Sequence, residues 1–421
     1  MSLKTRLVAM NFLQYFIWGS WLITIGAYWF QTKHWSGAQF GAIYSTIGIA
    51  AIFTPSIAGI IADKWIHAER LYGVLHLLGA ATLLIVPMVD DPNVLFWVML
   101  LNMCFYMPTI SLAIAVSYSA LKDDGKDIVR DYPPIRVWGT IGFIVAMWAV
   151  SLLHLETTAG QFYVASGAAL LLGLYAFTLP KCPPRGIRTG SSLVDMLGLR
   201  AFTLFRQRKM ALFFIFAMLL GAALQLTNAY GDTFLHDFGD VEEFQGTLAV
   251  KYPAIIMSIS QISETLFILA IPFFLGRFGI KKVMLISLTA WVLRFGLFAY
   301  GDPGTGLWMI VLSCIVYGMA FDFYNISGSI FVETQSDPTI RASAQGLFMM
   351  MTNGFGAMLG SVLSGQMIHH FFTDTAGNID WHGVWLSFAA YALVVAILFA
   401  ILFKHKHDPV AARVHADMVA P

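Results

Sequence analysis

Charge is scarce in this sequence. Asp, Glu, Lys and Arg make up 12% of its 421 residues, about half the ~25% of an ordinary soluble domain. So little charge cannot cover the surface of a water-soluble protein of this size, which excludes the soluble class. Cysteine is equally sparse. Cys104, Cys182 and Cys314 are far apart and odd in number, which excludes a disulfide framework and any CxxC metal site. The net charge is +1, so no bulk field points to nucleic acid. HExxH and GxSxG are absent, and most of the eleven histidines fall in loops or at the ends of apolar runs. Both facts weigh against an intramembrane enzyme. The alternating ~10-residue segments of a membrane β-barrel are absent too.

Long apolar runs are what the chain does contain. Hydrophobic residues reach 58%, with 34 Phe and 36 Gly. Runs of about 20 residues, the length that crosses a bilayer as a helix, fall at roughly 7–30, 40–62, 71–89, 94–120, 134–154, 161–180, 210–233, 252–276, 280–300, 306–332, 341–371 and 383–403. The expected architecture is an all-α membrane protein of twelve transmembrane helices. The first run spans 24 residues after Met1–Arg6. That is too long for a signal h-region, so it reads as a retained span.

Basic residues set the orientation. With a cytoplasmic N-terminus, the inside segments hold all Lys and Arg except Lys33 and Lys251 outside and Arg136 and Arg294 within spans. The outside loops are acidic, with Asp90, Asp91, Glu156, Asp237, Asp240, Glu242, Glu243, Asp374 and Asp380. Both termini are therefore expected in the cytoplasm.

A cytoplasmic segment, 181–209, divides six spans from six, giving bundles at 1–180 and 210–405 and a tail at 406–421. Its middle, 192–205, reads as an amphipathic helix lying on the membrane face. The halves echo one another. Gly59, Asp63 and Lys64 follow span 2, and Gly276, Arg277, Gly279, Lys281 and Lys282 follow span 8. Pro133-Pro-Ile-Arg136 precedes span 5, and Pro338-Thr-Ile-Arg341 precedes span 11, at offsets of 213 and 205 residues. Matched halves fit a transporter whose substrate sits at mid-membrane between them. The turn after span 2 resembles the G-x-x-x-D-[RK]-x-G-[RK]-[RK] loop of the major facilitator superfamily, met here at Gly59, Asp63 and Lys64.

Arg136, Glu264 and Asp322 lie inside apolar runs, where even lenient insertion scales charge roughly 2.5–3.5 kcal/mol. Such residues mark a site by default. Polar and aromatic positions form stripes around them at helical spacing. Span 5 carries Arg136, Thr140 and Phe143; span 7 carries Gln225, Asn228 and Asp232; span 8 carries Gln261 and Glu264; span 10 carries Tyr317, Phe321, Asp322 and Asn325. Gln225 and Asn228 read equally well as glue between helices, and Phe143 and Phe321, taken singly, as packing. Asp232 reads as a solvated helix end and Arg294 as a snorkelling side chain. His76 and Tyr106 show no companions. Amides and carboxylates pair with ring N–H, C=O and hydroxyl groups, and Phe and Tyr stack on flat rings. The stripes suit a polar aromatic solute.

At these stripes the chain closely resembles the nucleoside:H+ symporters of the major facilitator superfamily, the group of the bacterial nucleoside permeases. The carriers are FLQYFIWGSW (12–21), GAIYSTIGIAAIFTP (41–55), DIVRDYPPIRVWGTIGF (127–143), SISQISETLFIL (258–269), FDFYNISGSIFVE (321–333) and IRASAQGLFMMMTNGFG (340–356). The resemblance implies proton-driven nucleoside uptake across the bacterial inner membrane, by alternating access of two pseudo-symmetric six-helix bundles, with no cofactor. It implies nucleoside contacts from Arg136, Thr140, Phe143, Gln225, Asn228, Gln261, Glu264, Tyr317 and Phe321. Proton coupling falls on Asp322 or Glu264, and loop gating on Gly59, Asp63, Lys64, Arg277 and Gly279. The chain departs from the family pattern at Ala223, where an acid is expected, and at Asp232, where an amide is. A symporter for another solute such as a disaccharide, and a sensor that binds nucleoside without moving it, stay open at this stage. Purine or pyrimidine preference and oligomeric state are not legible.

Overall fold

Hydrocarbon holds no water to satisfy a backbone N–H or C=O, so an apolar chain must close its hydrogen bonds within each segment. A computed structural model describes residues 2–184, 199–337 and 340–405. Among them the chain is almost wholly helical, with one isolated β-bridge between Thr373 and Ile379. The expected amphipathic helix over 192–205 lies outside the described residues as far as 198. From Leu199–Arg206 the chain forms a 3-10 helix. The tail from 406 also lies outside them.

The chain divides into two compact units, Met1–Leu197 and Gly198–Pro421. In the first, α1 (Leu3–Gly19) breaks after Gly19 and resumes through Ile25–Ala27 and a π-helical turn, Tyr28–Thr32. Then come α2 (Gly37–Lys64), α3 (Ala68–Ile85), α4 (Pro92–Asp123), α5 (Pro133–Leu152) and α6 (Gly160–Ala176). Starts are written locally. Ser36 and Gln39 form a reciprocal capping box, and Asp91 caps α4 with Pro92 in its first turn, a position where no N–H is missed.

The second unit holds α7 (Arg208–Asp237), α8 (253–278), α9 (280–300), α10 (Leu307–Gln335), α11 (341–371) and α12 (Trp381–Leu402). α8 and α9 belong to one run, Pro253–Tyr300, broken at Gly279, where φ is 75° and ψ 165°. Only glycine takes that backbone without strain. α11 contains a π-helical stretch, Met350–Gly356. Nine helices among the described residues are long and apolar enough to cross a membrane, and Gly160–Ala176 is a shorter apolar one. With α1 and the division at Gly279, the twelve expected spans are all present.

Lipid tails are as apolar as leucine, so burial alone does not hold helices together in a bilayer; close packing must. Each unit has a crossing where glycine lets two backbones touch. In the first, a Cβ on Gly142 would collide with the Phe12 carbonyl, and one on Gly19 would sit 2.5 Å from the Phe143 oxygen. These contacts join α1 to α5. In the second, a Cβ on Gly221 would strike the Thr352 carbonyl, and one on Gly356 the Met218 carbonyl, joining α7 to α11 at its π-helical stretch. A Cβ on Gly167 meets nothing. Gly142→Val should therefore destabilise the protein by at least the ~1–3 kcal/mol of ordinary overpacking, whereas Gly167→Ala should leave it as stable as wild type or more so. Thermal unfolding in detergent distinguishes them. Equal melting temperatures for the two variants would refute the crossing.

Candidate functional site

In the first unit, α5 presents Arg136, Thr140 and Phe143 along one face. Arg136 and Thr140 are half-buried and Phe143 is buried. Pro133 and Pro134 open the helix, where fixed φ costs nothing. The Arg136 guanidinium carbon lies 4.0 Å from the centre of the Tyr15 ring on α1. Gly139 makes that approach possible, since a Cβ there would press on both side chains. Arg136 makes no side-chain hydrogen bond or ion pair among the described residues. Stacking on an aromatic face stabilises the charge and leaves the in-plane N–H donors free for another partner. Its counterpart in the repeat, Arg341, pairs with Glu333 at 3.0 Å instead. Equivalent arginines have thus taken different duties.

In the second unit, the candidate residues lie on three helices. α7 carries Gln225 and Asn228, α8 carries Gln261 and Glu264, and α10 carries Tyr317, Phe321 and Asp322. The amides divide into two sorts. Gln14, Asn102 and Gln161 are buried and hydrogen-bonded to neighbours. The side chains of Gln225, Asn228 and Gln261 make no hydrogen bond among the described residues, and their amide atoms are not sealed in the interior. Amides that glued helices together would be bonded, so the glue reading fails for Gln225 and Asn228. Tyr317 and Phe321 stack at 5.9 Å between ring centres, 9° from parallel. Asp322 is buried, and one of its carboxylate oxygens has no donor among the described residues. Glu264 on α8 is half-buried and close enough to Asp322 to act on it electrostatically. Asn325 bonds the Phe321 carbonyl of its own helix at 3.1 Å.

The motif positions are peripheral. Asp63 is exposed at the end of α2, Lys64 lies over the Trp65 ring, and a Cβ on Gly59 would meet nothing. Arg277 is exposed beside Phe278. Gly279 supplies the chain break described above, and Lys281 donates to the Ala400 carbonyl on α12 at 3.0 Å.

Three expectations need correction. Asp232 is not a solvated helix end. It is fully buried, with His236 3.5 Å away one turn on. Arg294 does not snorkel. It is 1% exposed, and Ser313, Ser260 and two aromatic rings surround its guanidinium. His76 and Tyr106 do have companions. The Gln14 Oε1 accepts from the Tyr72 hydroxyl at 2.7 Å and lies 2.9 Å from the His76 Nε2. Its Nε2 donates to Thr109 at 2.9 Å, and the Gln14 carbonyl accepts from Tyr106 at 2.7 Å. This ties α1, α3 and α4 together through one amide. Tyr15 and the Gln14 hub were missed from sequence because their partners lie on other helices, and no spacing within α1 signals them.

The chain matches the family model described as "Nucleoside H+ symporter" over residues 1–408. It is 58% identical over 410 residues to the xanthosine permease of Escherichia coli (strain K12), covering 97% of this chain and 98% of that protein. It is 52% identical over 408 residues to the nucleoside permease NupG of the same strain, covering 97% of each. The crystal structure of the nucleoside transporter NupG superposes with a TM-score of 0.90 over 96% of this chain and 100% of that one, and a point mutant of that transporter superposes with 0.93. A crystallised POT peptide transporter, 14% identical with a TM-score of 0.72, shares the fold alone.

Gln14→Leu removes an acceptor from Tyr72 and His76 and a donor from Thr109 within a buried site. Each orphaned group costs about 1–3 kcal/mol. The variant should melt well below wild type in detergent, while Gln14→Glu, whose protonated form keeps the acceptor oxygen and one donor for Thr109, should lose less. The reverse order would show that the network does not carry the load.

Proposed function

This chain belongs to the nucleoside H+ symporter family, and we propose that it imports nucleosides together with protons by alternating access. It is a multi-pass membrane transporter, not an enzyme. The distribution of Lys and Arg supports both termini in the cytoplasm, and membership of the family supports the bacterial inner membrane. The six-helix halves then run over 1–180 and 210–405, joined by 181–209.

The observation that carries the reading is the set of amides left open at Gln225, Asn228 and Gln261. Their amide atoms are open rather than tied to a neighbour, and a nucleoside offers matching partners: ring N–H and C=O groups and sugar hydroxyls. We assign Gln225, Asn228, Gln261 and Glu264 to hydrogen bonds with the nucleoside. Arg136, held on Tyr15, donates to it, with Thr140 beside it. Phe143, Tyr317 and Phe321 frame the base. Asp322 carries the proton. Its buried oxygen lacks a donor, and protonation removes the charge that makes this expensive. Glu264 couples to it, since a hydrogen bond from the nucleoside to one acid alters the field at the other. Asp63, Lys64, Arg277 and Gly279 belong to loops that gate the transition.

The test is uptake by proteoliposomes. Wild type should accumulate uridine only with an inward proton gradient, and uridine should drive proton entry. Glu264→Gln should weaken apparent affinity by about tenfold or more, the loss of a hydrogen bond to a charged group. Asp322→Asn should exchange uridine in counterflow but fail to accumulate it. Full uptake and coupling in both variants would sink the assignment. In the same counterflow assay, unlabelled uridine, adenosine and xanthosine should compete, and maltose should not. Competition by maltose would favour a sugar symporter, and binding without movement a sensor.

A further inference from the structure

Arg294 is a buried guanidinium with no acid. It lies on α9, 1% exposed, and no carboxylate pairs with it among the described residues. One terminal nitrogen donates to the Ser313 carbonyl on α10 at 2.7 Å, and both lie 3.4 Å from the Ser260 hydroxyl on α8. The Ser313 hydroxyl donates back to the Arg294 carbonyl at 2.9 Å. The guanidinium carbon is 4.6 Å from the centre of the Tyr317 ring and 5.1 Å from that of Phe298. Its Nε is buried and has no acceptor among the described residues.

A charge placed this deep without an anion is expensive, and a hydrophobic residue of similar size would fill the space more cheaply. What this side chain adds is the orientation of Tyr317. That ring is held on one side by the cation and on another by the edge of Trp291, 6.0 Å away at 87°, one turn earlier on α9. Phe321 stacks against it. Ser260 precedes Gln261, so the same guanidinium is tied to the helix that carries the amide and acid of the site.

We propose that Arg294 is a positioning residue for nucleoside recognition, fixing the Tyr317 ring through one planar, weakly hydrated cation that Ser260 and Ser313 hold in place. This rests on the reading of Tyr317 as a nucleoside contact. Lysine cannot replace it. Its point charge lacks the plane that stacks and the fork that reaches Ser260 and Ser313 together.

The test is a double-mutant cycle on uridine uptake in proteoliposomes. Arg294→Lys should raise KM about tenfold, the loss of a desolvated cation–π contact, with Vmax per folded transporter little changed. In a Tyr317→Leu background, the same substitution should raise KM no further, because the ring through which it acts is gone. An unchanged KM for Arg294→Lys, or an equal rise in both backgrounds, overturns the proposal. If Arg294→Lys does not accumulate in the membrane, Ser260→Ala, which keeps the charge and removes a contact, is run through the same cycle with the same two criteria. A wild type without saturable nucleoside uptake overturns the function itself, and this inference with it.

Discussion

Inside these helices a polar side chain has no water to fall back on, and everything else in the protein is arranged around that constraint. Backbone groups meet it by helix formation. Side chains meet it in three ways. Gln14, Asn102 and Gln161 close their hydrogen bonds within the first unit. Arg341, at a partly exposed helix start, pairs with Glu333. Among the described residues, the side chains of Gln225, Asn228 and Gln261 and one oxygen of Asp322 have neither.

The apolar majority serves a different end. Because lipid solvates leucine as well as protein does, the helices gain from contact that lipid cannot match, namely backbone against backbone. Both units achieve it between corresponding spans, the first with the fifth and the seventh with the eleventh. Each uses glycine, at Gly19 and Gly142 in one and Gly221 and Gly356 in the other. In the second unit the partner segment is π-helical. The crossing holds α1 beside α5, where Tyr15 meets Arg136. Packing of small residues thus places the charged one.

Much of this was legible in the residue order. Twelve apolar runs of bilayer length became twelve helices, and the loop motif at Arg277–Lys282 became a real break because Gly279 alone takes its φ. The stripes fell on single faces because helical spacing is local. What failed was whatever depended on a neighbour distant in sequence. Gln14 meets residues 58, 62 and 95 positions away, and nothing within α1 announces them. Arg294 and Asp232 were misjudged because depth was read from the nearer end of an apolar run, whereas burial depends on what packs alongside. The positions proposed to bind nucleoside were visible as residues, but their open amides became visible only once the bonded ones could be set beside them.

Two arginines in apolar helices, each lying on a tyrosine, show how far that comparison reaches. Their rings are at similar distances, 4.0 Å for Arg136 and 4.6 Å for Arg294. Stacking therefore does not separate them; the remaining donors do. Arg294 has committed both terminal nitrogens to Ser313 and Ser260 and is sealed from solvent. Arg136 has committed none among the described residues and is half-open. A guanidinium whose donors are committed can orient its neighbours but cannot greet a ligand. One whose charge is supported from the face, with its edge left free, can do so at small reorganisation cost. Among the described residues, the same residue type on the same kind of ring is thus left with its edge open in one unit and tied to its neighbours in the other.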